Sequence, residues 1–143
     1  MSNKQSLLDS MERAEGDHEL LTKYIECFHR MFAHPSPKVA RQATAAVRHL
    51  INRKIVDHFA YEERHILPAL LKINPSEKVL RGVTKLRLEH QSLLSEAKRL
   101  DRLLADETTA YNHPSQLRKA MLHFFHRMEK HAAKEDELFP SML

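Results

Sequence analysis

Apolar residues recur at intervals of three and four along four stretches of the chain, and each stretch predicts a helix with one buried face. In the first, Leu7, Met11, Ala14, His18, Leu21, Ile25, Phe28 and Phe32 form the stripe. Gly16 lies off it and is expected to set the first two turns apart as a short helix, with a firmer helix from Asp17 to about Phe32. His34-Pro35-Ser36-Pro37 ends that helix, because a residue before proline is pushed out of helical geometry, and Pro37 is suited to open the next one. The second stretch carries Val47, Ile51, Ile55, His58, Glu62 and Ile66 on one face. Pro68 is expected to kink or end it, and Ala69 to Ile73 lead to a turn at Asn74-Pro75-Ser76. The third, from about Ser76 to Ala105, buries Val79, Val83, Leu86, His90, Leu93, Ala97, Leu100 and Leu104. A polar stretch from Asp106 to His113 leads to Pro114 and to the fourth, where Leu117, Met121, Phe124, Met128, His131, Glu135 and Leu138 share a face. Four helices of roughly twenty residues or more, joined by short links, predict an all-α fold, an antiparallel up-down-up-down four-helix bundle.

The stripes are interrupted by only two residue types. His18, His58, Glu62, His90, His131 and Glu135 stand where apolar residues are expected. Their depths agree: His18 lies 18 residues before Ser36 and His58 lies 22 after it, while Glu62 lies 12 before Asn74 and His90 lies 16 after it. A four-residue imbalance in a hairpin is about 6 Å, roughly one helical turn, so the six can meet at about one level. His58 with Glu62, and His131 with Glu135, form two His-x-x-x-Glu elements 73 residues apart, each followed by an apolar-proline close, Ile66-Leu67-Pro68 and Leu138-Phe139-Pro140. That spacing places imidazole and carboxylate on one face, a turn apart.

Two facing buried carboxylates must share a proton or be neutralised by cations. Imidazole nitrogen with carboxylate oxygen suits iron, zinc or manganese. If two octahedral ions shared both carboxylates and one solvent-derived bridge, protein and bridge would fill ten of twelve positions, leaving two for small ligands.

Composition narrows the setting. The chain has 143 residues, enough for one domain with its own core, and its two glycines, 42% apolar content and lack of tryptophan suit helices. Cys27 is the single cysteine and cannot form an internal disulfide, which favours a reducing compartment. With neither a signal-like start nor an apolar run of membrane length, a soluble cytoplasmic protein with no membrane partner is expected. The charge of +4 and pI near 9.3 come from lysines and arginines spread over all segments among nineteen acids, which reads as solvated helix faces and not as a nucleic-acid surface. Of the eleven histidines, His29, His34, His49, His113, His123 and His126 lie off the stripes or in links and are expected at the surface. His65, one turn past Glu62, fits the rim of the bundle or a place behind the ligands. Glu63 and Glu137 are expected to point away into solvent, Tyr24 and Tyr61 to bring hydroxyls near the site, and Met11, Met121 and Met128 to fill the core.

The order and spacing of these motifs resembles the hemerythrin-like, or HHE cation-binding, domains over nearly the whole chain. The matching segments are Asp17-His18-Glu19-Leu20-Leu21, HFAYEERHILP from His58, Glu89-His90-Gln91, and HAAKEDELFP from His131. The resemblance implies a non-haem di-iron centre, oxo or hydroxo bridged, with His18, His58, Glu62, His90, His131 and Glu135 as ligands. It further implies a protein that binds, senses or reacts with dioxygen, nitric oxide or peroxide. Oxygen-carrying hemerythrins have a second histidine where this chain has Leu94 and an aspartate, at longer spacing, in the role of Glu135. The four-histidine, two-glutamate set is more similar to the bacterial branch associated with oxidative and nitrosative stress. Glu15/His18 and Glu62/His65 mimic the Glu-x-x-His elements of ferritin-like bundles, but those bundles need one on the fourth helix, where this chain has none. A histidine-phosphotransfer bundle needs an exposed histidine followed by lysine and glycine, and His49-Leu50-Ile51-Asn52 lacks both. A purely structural bundle would leave Glu62 and Glu135 without a reason.

Overall fold

The three-and-four spacing folds as helix wherever it occurs. The computed structural model describes residues 3–33, 36–106 and 114–143; among these, every element is helical. In order they are α1 (Asn3–Ala33), α2 (Pro37–His49), a π-helical segment (Leu50–Ile55), α3 (Val56–Tyr61), a second π-helical segment (Glu62–Ile66), α4 (Leu67–Ile73), α5 (Glu77–Ala105) and α6 (Pro114–Ser141). Because α2 to α4 follow one another without a turn, they form one rod, and the chain is a bundle of four long helical pieces. The stretch 107–113, and the side chains of Cys27, Phe32, His34 and His113, lie outside the described residues.

One expectation at the breakers is corrected, and at Pro68 one of the two alternatives is removed. Gly16 does not divide the first helix: α1 passes straight through it, and a Cβ there would meet nothing within 4 Å. The burial of Ala14, His18 and Leu21 on either side outweighs the roughly 1 kcal/mol that glycine costs in a helix. Nor does Pro68 end the second helical piece, which continues to Ile73. Proline offers no N–H to the carbonyl four residues back. The chain widens ahead of it, so that the Leu67 N–H reaches the Glu62 carbonyl, five residues back. After the turn at Asn74, Ser76 caps α5, its Oγ accepting from the Val79 N–H at 3.2 Å.

Two apolar clusters fill the interior. One joins Leu21, Ile25 and Phe28 of α1, Val47 to Ile55 of the rod, Leu93 to Leu104 of α5 and Leu117 to Met128 of α6, with Phe28 stacked on Phe125 at 5.4 Å. The other joins Leu7 and Ala14 of α1, Ile66, Leu67 and Leu70 of the rod, Val79, Val83 and Leu86 of α5, Phe139 of α6 and Met142 just past its end. Met11 is half-buried against this cluster. A polar layer lies between the two.

The buried positions also repeat along the chain. Leu7, Ala14, His18, Leu21, Ile25 and Phe28 of α1 correspond to Val79, Leu86, His90, Leu93, Ala97 and Leu100 of α5, each pair 72 positions apart. The rod and α6 correspond with a sliding offset. Val47 and Leu50 match Met121 and Phe124 at 74, Ile55 to Glu62 match Met128 to Glu135 at 73, and Leu67 and Leu70 match Phe139 and Met142 at 72. From Val47 to Leu70 the rod therefore holds two more residues than the matching stretch from Met121 to Met142, one within each π-helical segment. An added residue in an α-helix turns everything beyond it by about 100°. A π turn takes up that residue and keeps the following side chains on the core face.

Candidate metal centre

Among the described residues, the buried polar side chains are His18, His58, Glu62, His90, His131 and Glu135, and they make up the layer between the clusters. They form two overlapping groups that could each hold a metal ion: His18, His58, Glu62 and Glu135, and Glu62, His90, His131 and Glu135. The histidines face each other in pairs, with Nε2 of His18 2.9 Å from Nε2 of His58, and Nε2 of His90 3.1 Å from Nε2 of His131. Both carboxylates reach across the pairs. Glu135 lies 3.1 Å from His18, 3.0 Å from His131 and 3.1 Å from His90. Glu62 lies 3.0 Å from His58, 3.4 Å from His90 and 3.8 Å from His18. Despite those distances, neither Glu62 oxygen meets a donor at hydrogen-bonding geometry. Phe59, stacked on His90 at 4.3 Å and edge-on to His131 at 5.4 Å, walls one side.

Each histidine is braced from behind by an acid on another helix. Nδ1 of His18 donates to Asp136 at 2.6 Å, that of His58 to Asp17 at 3.1 Å, that of His90 to Glu63 at 2.9 Å, and that of His131 to Glu89 at 2.7 Å. The braces run round the bundle in a closed circuit: α1 supports the rod, the rod supports α5, α5 supports α6, and α6 supports α1. A carboxylate only accepts, so Nδ1 carries the proton and Nε2 is the nitrogen turned inward. This is the outer-carboxylate arrangement that fixes a metal-binding imidazole.

The electrostatics follow from this crowding. Burial by itself would lower the His18 pKa, but Glu135, with Asp136 and Glu62, reverses the effect and raises it to about 9. His90 is likewise pulled down by burial and raised, by Glu135 and Glu62, to about 10. His58 rises too, burial and the His18 charge opposing Glu62 and Asp17. Burial would raise the Glu135 carboxyl, yet His131, His18 and His90 hold it well below the usual carboxylate range. Without metal, then, His18 and His90 keep protons that they would lose to a cation.

Glu63 corrects its expectation: it does not point into solvent but braces His90 and binds Arg87 Nε at 3.2 Å. Asp17, Glu89 and Asp136 were not expected at the site at all. Each of the four is an acid adjacent in sequence to an inward residue, but so are the exposed Glu19 and Asp57, so adjacency alone does not mark them. Glu137 is exposed. Among the remaining histidines, His29, His49, His65, His123 and His126 are exposed; His65 lies tilted against Tyr61 at 4.7 Å, and His123 meets Glu96 at 2.9 Å. Tyr61 lies under the Arg13 guanidinium and Tyr24 packs on Phe28, and neither hydroxyl is hydrogen-bonded to the six central residues. Met121 and Met128 are core.

The chain matches no protein-family model, no curated protein and no solved structure. Among the described residues no helix is long and apolar enough to cross a membrane.

Proposed function

We propose that the chain is a hemerythrin-like di-iron protein. In this reading residues 1–143 form a single domain, an antiparallel up-down-up-down bundle, with His18, His58, Glu62, His90, His131 and Glu135 as ligands to two ions. The bundle arrangement is supported by the way the start of α1 shares a cluster with the end of the rod, and the end of α1 with the rod's beginning. The metal reading rests on one observation above the others: two fully buried carboxylates lie among four inward Nε2 atoms, and Glu62 has no hydrogen-bond donor. Such a carboxylate is costly to bury unless a cation meets it.

The donor set fits that group. Four imidazole nitrogens and two carboxylates, in two groups that share both carboxylates, suit a pair of iron, manganese or zinc ions. Bound iron would supply redox chemistry and positions for a small diatomic or peroxide. The protein's part is to hold the inward nitrogens in one tautomer through the four outer acids and to wall the site with Phe59.

We take the protein to work in the cytoplasm, on a small diatomic such as dioxygen or nitric oxide, and not on nucleic acid. Elemental analysis after aerobic expression with iron should find about two irons per chain; absence of any transition metal would overturn the reading. Glu62→Ala and Glu135→Ala should each abolish binding of the pair, and His126→Ala should leave it intact. Anaerobic titration of the reduced protein with dioxygen and nitric oxide, followed spectroscopically, then identifies the ligand. A phosphotransfer bundle predicts instead labelling of an exposed histidine such as His49 by a phosphodonor.

A further inference from the structure

The two halves of the site are built alike but charged differently. His18 and His58 rest on Asp136 and Asp17, and among the described residues neither aspartate has another hydrogen-bond or ion-pair partner. His90 and His131 rest on Glu63 and Glu89, which are already held by cations, Arg87 at 3.2 Å and Lys134 at 3.0 Å. The approach from outside divides the same way. Between α1 and the rod lies an opening of about 190 Å³ lined by Asp17, Tyr24, Lys54 and His58 among others, and Lys54 forms no ion pair with Asp17. At the corresponding place in the other half, Glu96 stands where Tyr24 does. It is bound by Arg127 and by His123 at 2.9 Å, and Arg127 also reaches Ser92 Oγ at 3.1 Å.

We propose that the His18/His58 half is the tighter ion position and the first to fill, with Asp17 and Asp136 as positioning residues that act through their charge. This rests on the two-ion reading above. An imidazole whose N–H is given to a full carboxylate is the better donor at its other nitrogen. Where a lysine or arginine sits behind the carboxylate, part of that charge is spent and an incoming cation meets added repulsion. Glu62 and Glu135 serve both positions, so the second ion binds more weakly whichever half fills first. Two steps alone therefore decide nothing; the residues that move each step do.

The test is titration of the full-length metal-free protein with cobalt(II) under anaerobic conditions, read by ligand-field absorption and calorimetry. Asp17→Asn and Asp136→Asn keep an accepting oxygen and lose the charge. Each should weaken the first step by on the order of tenfold and leave the second unchanged, and Asp17→Glu should restore the first. Arg87→Met and Lys134→Met should strengthen the second step and leave the first alone. These opposite signs are not what general structural damage gives. If acid and cation variants all move the same step, or none moves either, the division into halves is overturned while two ions still bind. If the unaltered protein takes up no cobalt, the two-ion reading itself falls.

Discussion

Glu62 and Glu135 are both fully buried, yet only Glu135 is met by donors, with His18 and His90 in hydrogen-bonding geometry. Both variants to glutamine should abolish the metal pair, but in the metal-free protein Glu135→Gln should lose more stability than Glu62→Gln. The difference expected is roughly 1–3 kcal/mol, the cost of unmaking charged buried hydrogen bonds. Thermal melting in excess chelator measures it, and equal losses would mean that the two carboxylates are held alike. At this scale the inward residues were legible because each breaks an otherwise apolar stripe. Asp17, Glu63, Glu89 and Asp136 were not: one position along a helix turns a side chain about 100° from the stripe, so an acid there reads as solvated until the neighbouring helix and its histidine are in place.

At the scale of elements, the four helices follow from the three-and-four period, whereas the π-helical segments hid in it. In the rod the stripe steps by four twice running, from Val47 to Ile51 to Ile55 and again from His58 to Glu62 to Ile66. Successive fours drift behind a 3.6-residue helix, and each π segment falls where that drift has to be absorbed. If each holds one extra residue, deletion of the exposed Arg53 should return the first segment to α-helix and leave a folded protein. Deletion of the exposed Lys98 from α5 should instead throw Leu100 and Leu104 off the core. Circular dichroism melts of the two deletions compare them directly. Gly16, read from sequence as a break, lies in a continuous helix with open space beside it. Gly16→Ala should therefore stabilise the protein by about 0.5–1 kcal/mol without altering metal content.

For the whole molecule, charge and folding are coupled through His18 and His90. In the metal-free protein the pKa of His18 stands at about 9 and that of His90 at about 10, against an ordinary 6.5. The folded state then holds more protons than the unfolded chain between those limits. The stability these groups contribute is complete below pH 6.5 and is lost as pH rises through 9 to 10. Chemical denaturation of the metal-free protein from pH 7 to 10 should show this decline, and a rise would contradict it. Loading with metal at pH 8 should release protons into a weakly buffered solution, since neutral imidazoles are the binding form.

The circuit of braces also ties distant positions together in heredity. Asp17 answers to His58, Glu63 to His90, Glu89 to His131 and Asp136 to His18, each pair joining two different helices. An acid whose histidine is lost has nothing left to brace, whereas a histidine that loses its acid still faces the centre and is held less firmly. Descendants of this gene should therefore change position 17 before position 58, and an acid kept where its histidine is gone should be rare.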